Sequence, residues 1–182
     1  MIKNMIDAER DAAYRVADLM VAAARTAPKG SGKDNVVSMI IDGEEKDTLA
    51  NTMRELSAEF NEEFLARDAA NVDNSHCVVV IGVKAVPFGL DNCHNCGFEN
   101  CKAMVKAGAN CAFNITDLGI AVGSAVSVAA DHRIDNRVMY SVGKGVQRMK
   151  LFPDNVRVSY GIPLYTGSKS IYFDRGPGAV LR

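Results

Sequence analysis

The 182-residue chain carries almost no net charge: Lys plus Arg number 21 against 22 Asp plus Glu, which leaves −1 at pH 7. That balance excludes the broad positive field on which sequence-independent binding of nucleic acids or anionic membranes depends. Long hydrophobic runs are lacking as well. The longest, Leu118 to Ala130, is closed off by Asp117 and Asp131 and falls short of the roughly 20 residues that cross a bilayer. The first residues, MIKNMIDAERDAAYR, alternate in charge with no apolar signal core. The expected location is therefore a reducing cytoplasm, where disulfides do not persist. Histidines are few, at positions 76, 94 and 132, too few and too scattered for a Ser-His-Asp or Cys-His catalytic set. Neither repeats nor low-complexity linkers interrupt the chain. With 48% hydrophobic and 24% charged residues it reads as one globular domain spanning 1–182.

Nucleotide-binding signatures also fail. A P-loop would need Gly at Ala27 and Ser or Thr at Asp34, and a dinucleotide fingerprint beginning at Gly143-Lys144-Gly145 meets Arg148 where its last glycine belongs. Glu44, Glu45 and Asp47 follow a turn and read as a solvated helix start rather than an acid/base pair.

Apolar periodicity supplies the elements. Ile6, Ala13, Val16, Ala17, Met20 and Ala24 recur at helical spacing up to Pro28. Val36–Ile41 reads as a strand ending in the turn signal Asp42-Gly43. Leu49, Met53, Leu56, Phe60 and Phe64 predict one helix over about 46–67, and the β-branched run Cys77–Val83 predicts a central strand covered on both faces. Residues 115–130, apolar and rich in small side chains, predict a central helix with Asp117 near its positive dipole end. Val138, Val142, Val146 and Met149 suggest another helix that Gly143 and Gly145 weaken. Val156–Ile162 reads as a last strand, and Gly176-Pro177-Gly178 as the end of regular structure. The order predicts an α/β or α+β sandwich of one sheet and several helices.

Four of the five cysteines fall between positions 93 and 111. Cys93, Cys96 and Cys101 form C-x2-C-x4-C, and Gly97 frees the chain to turn around a bound metal. Cys101 opens a short predicted helix to Ala107, whose dipole favours a thiolate. Ala107-Gly108-Ala109-Asn110 then reads as a stop that returns Cys111 as the fourth ligand. Tetrahedral zinc prefers two well-separated cysteine knuckles, whereas a [4Fe-4S] cube offers four corners that suit unequal spacing. Zinc, or thiols without metal, remain alternatives. Cys77 reads as a buried small hydrophobe, and Cys77 or His94 would stand in if Cys111 were not a ligand. Separately, Lys29, Gly30, Ser31 and Lys33, with Lys169, offer donors and charge to a phosphate. The same glycine-rich loop also reads as a solvated turn.

The segment CHNCGFENC is similar to the four-cysteine iron-sulfur module C-x2-C-G-x3-C. The stretches AARTAPKGSGKDN, CVVVIGV, DLGIAVGSAV, NRVMYSVG and FDR, with CGFENC, resemble a family of uncharacterised prokaryotic ferredoxin-domain proteins. A weaker likeness, carried by Ala23 to Pro28, Asp117 to Ala130 and Val156 to Leu164, is to the nitroreductase-like flavoproteins, although the arginine-serine-arginine element that grips their FMN phosphate is absent. These resemblances imply a nitroreductase-like sandwich carrying a cysteine-rich iron-sulfur segment at about 90–114. They further imply a [4Fe-4S] redox protein or small oxidoreductase with FMN as a second cofactor, a homodimer or other homo-oligomer, and an unspecified redox partner protein or small-molecule acceptor. The competing expectation is a non-enzymatic module, an iron-sulfur sensor or a structural zinc site.

Overall fold

The computed structural model describes residues 2–174, so the expectation for Gly176–Gly178 lies outside the described residues. A four-stranded antiparallel sheet has the order β1-β2-β4-β3, with β1 Val36–Ile41, β2 Cys77–Lys84, β3 Asp135–Asn136 and β4 Val156–Tyr165. Residues 77–83 of β2 are all buried, as a continuous β-branched run between two paired neighbours requires. Alternation along that strand feeds two cores. Cys77, Val79, Ile81 and Val83 face helices α1 (Met5–Thr26) and α5 (Ala112–Asp131), and Val78 and Val80 face α2 (Gly43–Phe60), α3 (Glu63–Asp73) and α6 (Tyr140–Arg148).

α1 buries Ala13, Val16, Ala17, Met20 and Ala24, the stripe its spacing predicted. The single helix expected over 46–67 is two helices. Asn61 takes a left-handed conformation (φ +55°), and its N–H and that of Glu62 both return to the Ser57 carbonyl. Asparagine tolerates that conformation and ends a helix there. The apolar spacing runs on through the break, with Phe60 exposed and Phe64 resting on the Tyr140 ring. Asp42-Gly43 is not a free turn but the entry to α2.

The glycines of α6 exist for contact. A Cβ on Gly143 would lie 2.0 Å from the Ser159 carbonyl oxygen, and one on Gly145 would lie 2.6 Å from Leu49 Cδ1. They let α6 settle directly on β4 and α2, at the usual cost in helix propensity.

α5 is longer than the apolar run within it, because Asn114 and Asp117 lie inside its first turns. Its 20 residues include an 18-residue window with a mean hydropathy of 1.4, so by length and composition alone the helix could cross a membrane. In this fold Leu118, Ala121, Ala125 and Ala129 are fully buried against α1 and the sheet.

Burial pushes the Cys77 thiol from its ordinary 9.0 up to about 12 and also raises Tyr172, whose hydroxyl meets Ser75 Oγ at 2.8 Å. Above pH 9 the unfolded chain therefore loses a proton that the folded chain keeps, and stability falls as pH rises toward 12. The expected slope for Cys77 approaches about 1.4 kcal/mol per pH unit. Urea unfolding between pH 8 and pH 10.5, compared with Cys77→Ala, should show this decline shrinking in the variant; identical slopes would contradict the assignment.

Candidate metal centre

All four clustered cysteines line one cavity of about 640 Å³ at the end of the sheet where β2 finishes. The segment after Lys84 brings in Phe88. A loop follows in which Asn92, His94 and Gly97 all have positive φ, coiling Cys93 and Cys96 toward the same space. Gly97 N–H closes the turn on the His94 carbonyl at 2.8 Å. Asn100 caps α4 (Cys101–Lys106) by accepting from Ala103 N–H, and this sets Cys101 at the helix's first position, as expected from the sequence.

Cys111 is the deepest of the four, 7% exposed, and forms a small apolar cluster with Phe88 and Met104 against which Cys96, Phe98 and Phe113 pack. It occupies the N-cap position of α5. The thiol thus stands at the positive end of a 20-residue helix. The sequence reading began that helix at Ile115 and missed this placement.

Two other groups fix Cys111. Asn114, one turn on and 1% exposed, donates its amide to the carbonyls of Lys84 (3.1 Å) and Val86 (2.5 Å) and accepts from Asn35 Nδ2 at 3.2 Å. Arg157, at the start of β4, donates to the carbonyls of Gly108 and Ala109, the latter at 3.3 Å, and so pins the chain just before Cys111. Neither residue belongs to any recognisable motif. Three consecutive polar satisfactions on one buried Asn appear only in three dimensions.

Of the stand-in ligands, His94 lines the cavity and its Nδ1 lies 3.2 Å from the Phe98 carbonyl. Cys77 sits at the far end of β2, inside the main core. Among the described residues no three His, Cys, Asp or Glu side chains are drawn closely enough together to hold a single ion. A donor set of four thiols around a cavity fits the thiolate chemistry of an iron-sulfur cluster and equally that of a tetrahedral zinc ion.

The expected phosphate cradle does not assemble. Lys29 Nζ caps the end of α1, donating to the carbonyls of Ala24, Arg25 and Ala27. Gly30 N–H donates to the Asp117 carboxylate at 3.1 and 3.2 Å, placing a negative charge where a phosphate would sit. The N–H groups of Gly32 and Lys33 close the turn on Lys29 and Gly30, and Lys33 Nζ donates to the Phe88 carbonyl. Ser31 lies exposed on the turn at φ +52°. Lys169 follows the far end of β4 and pairs with Asp174. These residues do not fit a flavin phosphate within the chain. The close approach that Gly30 allows is to Phe88, whose ring carbons would lie 2.7 Å from an added Cβ. Phe88 stacks on Phe113 (centroids 5.2 Å apart) at the cavity wall.

Residues 107–175 match the family described as "Uncharacterized protein containing a ferredoxin domain" (DUF2148). An uncharacterized protein from Archaeoglobus fulgidus is 38% identical over 185 residues, covering 97% of this chain and 99% of the archaeal one. The chain belongs to this ferredoxin-domain family. Its fold is that of the nitroreductases. A nitroreductase with bound FMN from Desulfitobacterium hafniense superposes with a TM-score of 0.57 at 13% identity, covering 86% of this chain and 79% of that one. A nitroreductase family protein from Clostridium novyi gives 0.55 at 17%, covering 86% and 73%. The family match of this ferredoxin-domain chain takes in Cys111, α5, α6 and β4.

Replacing Asn114 with Ala would leave the Val86 carbonyl and the Asn35 amide without this partner, while the Lys84 carbonyl keeps the Val86 N–H. The expected loss is about 3 kcal/mol in urea unfolding, with faster alkylation of Cys111 in the metal-free protein. A loss under about 1 kcal/mol with unchanged thiol reactivity would show that the clamp is idle.

Proposed function

We propose that this protein is a one-electron carrier or small oxidoreductase whose working centre is a [4Fe-4S] cluster held by Cys93, Cys96, Cys101 and Cys111. The observation that carries the reading is the convergence of these four thiols, from a coiled loop and two helix starts, on one cavity. Such a cluster, when bound, accepts and returns single electrons. Phe88, Met104 and Phe113 keep water from the deep side of the cavity, and the start of α5 offsets thiolate charge at Cys111. The substrate class beyond an electron donor or acceptor is left open, and the setting is a reducing compartment.

Anaerobic purification followed by metal and sulfide analysis tests this. About four irons and four acid-labile sulfides per chain are expected, with iron falling in Cys111→Ser. Stoichiometric zinc without iron would overturn it in favour of a structural metal module.

We also propose that two copies associate through the outer face of α5. Gly119 and Gly123 lie on this face with nothing within 4 Å of an added Cβ, and Ile120 between them is 41% exposed. Glycine in an exposed helix interior costs about 1 kcal/mol against alanine, a cost that nothing within the single chain offsets. Close contact with a second backbone would offset it. Gly123→Ala should then lower stability and weaken a dimer seen by light scattering, whereas a monomeric protein stabilised by the change would refute the association.

A further inference from the structure

The cations of this nearly neutral chain are unevenly distributed. Among the described residues, Lys84, Lys102, Lys106, Lys144, Lys150 and Arg157 have no carboxylate within ion-pair distance. Arg15, Lys29, Lys33 and Arg133 are likewise without one, and the six named first gather at the cysteine end of the sheet. Lys84 closes β2 opposite Val156, and Lys102 lines the cysteine cavity. Arg157 reaches the turn two residues after Lys106 and shares one groove with Lys150 and a second, adjoining groove with Lys144. The grooves hold about 330 and 150 Å³ and have Gln147 and Arg157 in common. The acidic residues on this side are Asp91, Glu99 and Asp154 at the cavity and groove, Asp34 and Asp117 at the starts of β1 and α5, and Glu59, which pairs with Arg148 at the end of α6.

The other end is acidic. α5 carries the chain about 30 Å away from Cys111, to Asp131, and β1 runs from beside the Asn35–Asn114 bond toward Asp42, Glu44 and Glu45. Against these acids stand Arg133, Lys46, Lys3 just before α1 and, along α1, Arg10 and Arg15. The six unpaired cations therefore form a local positive patch beside the four thiols. A field of this shape turns an approaching negatively charged body toward the cluster and raises its encounter rate.

We infer that the surface formed by α4, the start of β4 and the end of α6 docks an acidic electron-carrier protein. This rests on the iron-sulfur reading only for its purpose: in the docked pair one electron passes from the reduced carrier to the oxidised cluster, with no bond made or broken. The surface itself exists in the metal-free chain.

The test uses the full-length protein, both iron-loaded and metal-free, with a flavodoxin as the acidic probe and basic cytochrome c as its counterpart. Binding of flavodoxin by titration calorimetry should weaken at least about tenfold between about 20 and 300 mM salt. It should weaken similarly at low salt in the double variant Lys106→Glu/Lys150→Glu, with unchanged circular dichroism. Asp131→Lys, at the far end, should leave it within about twofold of the parent. Flavodoxin binding that ignores salt and the double substitution, preference for cytochrome c, or binding to phosphatidylserine vesicles in place of flavodoxin would each overturn the inference. If the protein takes up zinc and no iron yet shows the expected flavodoxin binding, the docking surface stands and the electron-carrier reading falls. If iron loads fully and flavodoxin does not bind, the reverse holds.

Discussion

The side-chain amide of Asn114 joins what would otherwise be two separate structures. On one side is the sheet, whose second strand ends at Lys84; on the other is the loop and helix pair that carries the cysteines. Asn114 donates to the backbone on either side of Ala85 and accepts from Asn35, so the exit of β2, the approach to β1 and the first turn of α5 meet at one buried side chain. A buried amide with such partners is costly to disturb. Cys111 is three residues before it and inherits its position. The deepest thiol of the site is thereby referenced to the core, and the other three reach the cavity from the loop of Cys93 and Cys96 and from the first position of α4.

Much of the fold was legible because it rests on periodicities that local sequence displays. The alternation-free run of β2, the buried stripe of α1 and the small-residue character of α5 each correspond to an observed environment. What escaped depended on backbone events or on distant partners. The break at Asn61 is one left-handed residue within an unbroken apolar rhythm. Gly143 and Gly145 weaken a helix when read locally, yet they are what allows that helix to lie on β4.

The site divides the same way. The three closely spaced cysteines and the helix start at Cys101 follow from residue type and spacing alone. The role of Cys111 as the cap of α5, and the ties from Asn114 and Arg157, depend on residues that are far apart in sequence. The Lys29–Lys33 loop is the instructive miss. Lysines and glycines suggested a bound anion, but the anion is the chain's own Asp117 and the close neighbour its own Phe88. A loop can turn its lysines and a glycine N–H onto the chain itself and still carry the composition of a ligand site.

The nitroreductase fold here serves as a frame for a cysteine segment at one end of the sheet, bordered by the unpaired cations of α4, the start of β4 and the end of α6. The central claim concerns bonding: four thiolates sharing one cluster. X-ray absorption at the iron edge of anaerobically purified protein tests it most directly. The account predicts iron surrounded by sulfur with a second shell of neighbouring iron. Iron bound by nitrogen and oxygen with no iron neighbour, or a metal that absorbs only at the zinc edge, would contradict it.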